Sequence, residues 1–365
     1  MPKIPYSKIV SDLPSNAPFI GPETIERQQG KKFIVRIGAN ESAFGISPLA
    51  VGAMRDAVSG IPSYCDPEGY ELRAALATHH GVKSENIVLG AGIDDLLGLI
   101  VRMYMNPGDI VIASEGSYPT FAYHVRGFGG TLKTVPYRHN RNDLVALTDV
   151  ATKYSPSILY LANPDNPTGS YFGYNSIGDL LDRMPPNCLF VLDEAYIDFV
   201  PSDTTLPFDM TDPRIVRLRT FSKAHGMAGA RVGYAIGNKD IIRVFDKVRL
   251  HFGVNLLAQI GALASLHDSS FIRNVVNAVD QGRLEYQEIA KKNGISTVPS
   301  QTNFVAFDFG SSAQANLAMK AFTEKGIFLR KPSAPELDQL IRVTIGKPED
   351  RALFLKIFQA IIDFD

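Results

Sequence analysis

The sequence predicts an α/β protein: a large domain with a mostly parallel sheet between helices, followed by a smaller α+β domain. Two observations carry this. From about residue 86 short apolar runs alternate with helix-period stretches, the pattern of a parallel sheet covered on both faces. Near residue 250 the pattern changes to long helical sequence and then to separate strands and helices. We expect an arm over 1–30, packing with the small domain or a partner subunit, a large domain over 31–252 and a small domain over 253–365.

The elements follow in order. The arm is rich in proline and polar residues and is too short to fold alone. NIVLG (86–90) reads as a strand, DDLLGLIVRMYM (94–105) as an apolar helix, NPGD as a turn and DIVIAS (109–114) as the next strand. SILYLANP (157–164), NCLFVLDEA (187–195), IVRLRTFS (215–222) and RVGYAIG (231–237) continue the strand series. One long helical stretch runs from about Asn255 to Lys292. TNFVAFDF, IFLR and LIRVTIG then read as strands, with helices at SAQANLAMKAFTEKG and PEDRALFLKIFQAIIDF.

Composition narrows the function. The chain has 365 residues, 45% hydrophobic and 21% charged, which suits a globular core and argues against disorder. Net charge is −1 without long runs of one sign, so nucleic acid and anionic membrane are not expected partners. No apolar run approaches the roughly 20 residues that span a bilayer, and the amino terminus lacks a secretory h-region. Two cysteines form neither a disulfide framework nor a zinc site, and seven histidines show no HxxxH or HExxH spacing. No metal is expected, and the expected setting is cytoplasmic.

The chemistry collects at strand ends, where open α/β sheets bind ligands. In RTFSKAHGMAGARVG (219–233), Lys223 follows an apolar strand and Ser222, and Arg231 comes eight residues later. A lysine there is expected to be buried, which favours the neutral, nucleophilic amine. It suits a Schiff-base link to an aldehyde cofactor, with Ser222 and Arg231 on a phosphate. Most lysines are simply solvated. Asp193 ends LFVLD, where a carboxylate can keep a pyridine nitrogen protonated; a helix cap or a metal-ligating aspartate fits the same position. Asn166 sits in NPDNPTG, a stiff turn able to aim an amide at a phenolic oxygen. Gly90-Ala-Gly-Ile-Asp-Asp95 joins a strand to a helix, as a phosphate cradle does. Asp94 and Asp95 read equally well as acids favoured at a helix start. Tyr118 in SYPTFAY can stack on a planar ring, although core packing is the simpler role for one tyrosine.

Together NPDNPTG, DEAY and SKAHGMAGARVG resemble the fold-type I pyridoxal-phosphate enzymes of the class I/II aminotransferase superfamily, and among them the histidinol-phosphate aminotransferase family. The similarity runs from ANESAFG (39–45) to RVTIG (342–346). The resemblance implies pyridoxal 5'-phosphate bonded to Lys223, with Asp193 on its ring nitrogen and Asn166 and Tyr196 on its phenolic oxygen. Tyr118 would stack on the ring, and Ser222, Arg231 and the backbone around Gly92, Ile93 and Asp94 would take the phosphate. Tyr64 would reach the phosphate held by a neighbouring subunit, which implies a homodimer with shared sites. Arg342 and Arg330 match anion-binding arginines for the substrate, and Asn40 and Phe19 fall at substrate-side positions.

Three departures bear on the substrate. Asn40-Glu41-Ser42-Ala43 replaces the family's Asn-Glu-Asn-Pro, Tyr64-Cys65-Asp66 replaces Tyr-Pro-Asp, and Phe19 stands where a tyrosine is usual. The expected reaction is ping-pong transamination of histidinol phosphate with 2-oxoglutarate as acceptor. The alternatives are an aromatic or other amino-acid aminotransferase and a threonine-phosphate decarboxylase-like lyase on the same site. A cofactor-binding regulator usually adds a DNA-binding domain, for which this chain has no spare segment. A nicotinamide dehydrogenase needs GxGxxG, and the turn reads GAGIDD.

Overall fold

A computed structural model describes residues 4–15 and 19–362. Its centre is a seven-stranded sheet. The spatial order is Ile87–Gly90, Gly233–Gly237, Ile215–Thr220, Leu189–Asp193, Ile158–Ala162, Ile110–Ser114 and Thr131–Val135. The strands run parallel except Gly233–Gly237, which is antiparallel to both neighbours. That reversal matters for the site. The start of this strand lies beside the carboxyl ends of the others, so Arg231, two residues before it, joins residues that follow parallel strands.

The apolar runs explain the sheet's place. Ile158–Ala162 and Leu189–Asp193 are buried along their whole length, as expected of strands covered on both faces. Helix Ile93–Tyr104 buries Leu96, Leu97, Ile100 and Val101 against Val111, Tyr160 and Val191. Each such side chain contributes about 1.5–3 kcal/mol on burial. The opposite face is covered by Leu147, Ala151, Ile177 and Leu180 from helices Leu144–Tyr154 and Tyr174–Arg183.

The second unit is an antiparallel sheet of Leu340–Thr344, Phe304–Asp308 and Ser296–Thr297. Helices Ser269–Lys292, Ser312–Glu324 and Pro348–Ile362 cover it around Tyr286, Phe307, Phe322, Phe354 and Phe358. The single helical stretch read from Asn255 to Lys292 is two helices, Leu256–His267 and Ser269–Lys292. Asp268 divides them: it accepts from Phe271 N at 3.2 Å, and its Oδ2 accepts the Ser47 hydroxyl at 2.6 Å.

Packing crosses both expected boundaries. Val35–Arg36 pairs in parallel with Ile327–Phe328, and Val35 and Ile37 pack in the second unit's core. Helix Leu256–His267 buries Ala258 and Ala262 against Leu72, Leu76 and Phe221 of the first. The described part of the arm reaches the cleft between the units. Arg330 Nη2 donates to Ile20 O at 3.0 Å, and Phe19 stacks on Tyr118 with ring centres 6.2 Å apart. No helix among the described residues is long and apolar enough to cross a membrane.

Candidate active site

Lys223 and Asp193 line one cleft of about 260 Å³, together with Ile93, Asp94, Tyr118, Asn166, Tyr196, Ser222 and Arg231. These residues come from six separate stretches of sequence. The sheet brings them together because each follows, or in Arg231's case precedes, a strand at the same edge.

Asp193 is the last residue of its strand and is 4% exposed. Its Oδ2 accepts the Tyr160 hydroxyl at 2.8 Å and its Oδ1 accepts Ala195 N at 3.0 Å. Burial pushes the carboxyl up to about 6, against the pull of those two donors. Tyr160 escaped the sequence reading. The available signal was register: Ala162 lies opposite Asp193, and two residues earlier on a strand is the same face.

Lys223 sits on the turn after Ile215–Thr220, and its Nζ donates to Asn40 O at 3.2 Å. The turn is tied by Ser222 N to Thr220 Oγ1 at 3.1 Å and by Gly226 N to Lys223 O at 3.0 Å. Gly226 has φ +70°, and a Cβ there would lie 1.9 Å from Gly45 O. Only glycine lets the two backbones approach in this way. His225 bonds Ser265 through Nδ1 at 2.8 Å, in a buried position.

Gly92 precedes helix Ile93–Tyr104 with φ +86°, and a Cβ there would meet Arg231 Nη2 at 2.4 Å. The free N–H groups of the first helical turn face the same corner as the Arg231 guanidinium. Asp94 has a definite role here. It accepts the Tyr118 hydroxyl at 2.8 Å and lies 3.5 Å from Arg231. Asp95 accepts Ala91 N at 2.9 Å, closing the turn.

Asn166 and Tyr196 stand on the other side. Arg342 Nη1 donates to Asn166 Oδ1, which leaves the amide's N–H groups free to donate. Asn40 Nδ2 donates to the Tyr196 oxygen at 2.9 Å, which leaves that hydroxyl's own proton free. Asn40 is 2% exposed with φ +57°, and its Oδ1 accepts from Thr344 Oγ1 at 3.1 Å. Its side chain is therefore committed to Tyr196 and Thr344. Asn303 Nδ2 donates to Asn40 O at 3.1 Å. Thr344 and Asn303 were also missed, since nothing in their local sequence distinguishes them.

A cavity of about 660 Å³ adjoins the cleft and is lined by Phe19, Tyr118, Arg330 and Arg342 among others. Arg330 and Arg342 face each other across an antiparallel bridge. Burial lowers the ionisation of both guanidinia, and their Nε atoms have no hydrogen-bond partner among the described residues. Arg330 also lies over the Phe19 ring at 5.3 Å. Tyr64 lies outside the cleft, exposed and stacked on Phe252 at 4.6 Å.

Behind Asp193, Glu194 is 2% exposed and holds two arginines. Arg217 Nη2 reaches it at 2.6 Å and Arg219 Nε at 2.8 Å. Burial pushes the Glu194 carboxyl up, but Arg217 and Arg219 together pull it below the usual value. Charged residues at alternate positions of the apolar run IVRLRT were the sequence signal for this network.

Such a cleft opposes an amine to a buried carboxylate, with a phosphate-sized corner at one end and an arginine pair at the other. Residues 33–357 match the family model for aminotransferase class I and II. Histidinol-phosphate aminotransferase 2 of Carboxydothermus hydrogenoformans is 33% identical over 98% of this chain and 99% of that protein. The histidinol-phosphate aminotransferase of Moorella thermoacetica is 33% identical over 93% of this chain and 88% of that one. The crystal structure of histidinol-phosphate aminotransferase from Sinorhizobium meliloti in complex with pyridoxal-5'-phosphate matches with a TM-score of 0.93 and 39% identity. It covers 98% of this chain and 97% of that one. Because the family match spans the amine, the carboxylate and both arginines of the cleft, the chain belongs to the class I and II aminotransferases.

Proposed function

We propose that the protein binds pyridoxal 5'-phosphate and moves the amino group of histidinol phosphate to 2-oxoglutarate. The observation that carries this is the single cleft holding Lys223, Asp193, Asn166 and Tyr196 beside the Arg330–Arg342 pair. The donor set fits the cofactor at each end. A buried carboxylate awaits a cationic ring nitrogen. Two hydrogen-bond donors, Asn166 and Tyr196, face the opposite side. At the Gly92–Arg231 corner the absent Cβ lets the Arg231 guanidinium lie against the helix start, where a phosphate would find donors. Names attached to the similar proteins support the substrate.

When bound, the cofactor supplies an electron-withdrawing ring that takes up the electron pair released at the substrate Cα. The chain's own residues do the rest. Lys223 would hold the aldehyde through its amine. When free, that amine would take the proton from the substrate Cα as general base. Asp193 would keep the ring nitrogen charged, and Tyr160 keeps Asp193 in place. Ser222, Arg231 and the N–H groups of Ile93 and Asp94 would hold the phosphate, and Tyr118 would face the ring. Arg330 and Arg342 hold the substrate anion, a phosphate in one half-reaction and a carboxylate in the other.

A homodimer is part of this reading. Ile61, Tyr64, Leu250 and Phe252 are exposed apolar residues on two neighbouring stretches, the kind of surface that a second copy covers. A cytoplasmic setting accords with two free thiols, Cys65 and Cys188.

The Phe19–Tyr118 stack beside the cavity favours an aromatic donor as the second reading. One panel separates them. Holoprotein is mixed with histidinol phosphate, phenylalanine, tyrosine, glutamate or threonine phosphate, and the visible absorbance of the bound cofactor is followed. Histidinol phosphate and glutamate are expected to discharge it. Discharge by phenylalanine and tyrosine but not histidinol phosphate overturns the proposed donor. Carbon dioxide release from threonine phosphate marks a lyase.

A further inference from the structure

Asp165 stands next to Asn166 and is held more deeply, with 1% exposure. Its Oδ1 accepts the Tyr137 hydroxyl at 3.0 Å. Its Oδ2 accepts Thr168 N at 3.1 Å and Thr168 Oγ1 at 2.6 Å. The turn is already closed by backbone bonds, Asp165 N to Ser170 O at 2.8 Å and Gly169 N to Asp165 O at 2.9 Å. Burying a carboxylate is costly, and these backbone bonds do not require one. The carboxylate therefore has another task, and its partner indicates which.

Tyr137 is 6% exposed, and its ring packs in a separate cluster with Val298, Ala306, Ala334, Leu337 and Leu340. Leu340 begins the strand that carries Arg342, and Ala306 is the register partner of Arg342 itself. Arg342 in turn donates to Asn166. The contacts form a closed circuit: the Tyr137 ring, the strand Leu340–Thr344, the Arg342 guanidinium, the Asn166 amide, Asp165 and the Tyr137 hydroxyl. It joins the unit that supplies the substrate-side arginine to the turn that supplies the cleft-facing amide.

We propose that Tyr137 and Asp165 are positioning residues that hold the Asn166 amide and the Arg342 guanidinium in register with each other. This rests on the transaminase reading of the same cleft. Neither residue touches the reacting atoms. They act by fixing the turn from one side while their cluster fixes the strand from the other.

The test uses holoprotein and the substitutions Tyr137→Phe and Asp165→Asn, each made alone and on an Asn166→Ala background. Phenylalanine keeps the ring in its cluster, so Tyr137→Phe carries the test if Asp165→Asn does not fold. Each single variant is expected to raise KM for the anionic amino donor about tenfold, the size of one lost hydrogen bond to a charged group. Each is also expected to change the visible circular dichroism of the bound cofactor, which reads its tilt. On the Asn166→Ala background neither substitution has a further effect, because the amide through which they act on Arg342 is gone. The proposal is overturned if the single variants keep wild-type KM and dichroism. It is equally overturned if they act to the same extent on both backgrounds, as a pair that only stabilises the fold would. Failure of the transaminase reading looks different: the wild-type protein itself then lacks a visible band that responds to amino donors.

Discussion

The Tyr160 hydroxyl lies 2.8 Å from Asp193 Oδ2, with the tyrosine fully buried and the aspartate nearly so. Without a cationic partner the carboxylate is a cost to the folded protein. Its ionisation is raised to about 6 from 3.8, so its folded form binds the proton more tightly than the unfolded chain does. That favours folding below the unfolded value and is lost as pH rises through about 6.

Asp193→Asn should therefore stabilise the cofactor-free protein at neutral pH, by up to about 3 kcal/mol, and add nothing near pH 3. The same variant should bind cofactor poorly. Urea melts of cofactor-free protein across pH check the first part. Tyr160→Phe should move the loss of stability to higher pH, because a donor to the charged form has gone.

Glu194→Gln should destabilise by about 3–5 kcal/mol, since it leaves Arg217 and Arg219 buried without their shared carboxylate. In the wild type this network's stability is fully present above the ordinary glutamate value and lost as pH falls through the lower folded one. The variant's urea midpoint should accordingly depend less on acid. An unchanged midpoint at neutral pH would show that the network contributes nothing net.

Two glycines should respond differently to alanine. In Gly92→Ala the new methyl meets the end of a side chain, Arg231. The left-handed backbone there strains alanine by about 1–2 kcal/mol, so the protein should fold with a lowered melting temperature and should also hold cofactor more weakly, by about tenfold or more. In Gly226→Ala the methyl meets backbone at Gly45, which cannot swing away. That variant should lose stability, read as a fall in melting temperature with or without cofactor.

Much of this was legible in the sequence because the parallel strands are continuous apolar runs, and their ends expose Asp193, Asn166 and Lys223 in short, unusual strings. The strand Thr131–Val135 was not legible. It is an edge strand with only Val135 buried, so TLKTV lacks the apolar signature. Helix Leu256–His267 was legible as a helix, but its period does not say which core its buried face joins. Tyr160, Thr344 and Asn303 act through register and long-range contact, which local sequence does not carry. The break at Asp268 depends on Ser47, over two hundred residues away.

Arg342→Gln should raise KM about a hundredfold for both the amino donor and the 2-oxo acid, with cofactor still bound, because it removes a buried charge that meets the substrate anion in both half-reactions. Steady-state kinetics with each substrate varied check this. A KM change confined to one substrate would assign the other anion to Arg330 alone.

The Lys223 amine is the group on which cofactor attachment and proton transfer both turn. Borohydride reduction of the holoprotein, followed by peptide mass analysis, reads this directly. The cofactor's mass should appear on the peptide containing Lys223, and Lys223→Ala protein should carry none. Label on another lysine, or none in the wild type, contradicts the account.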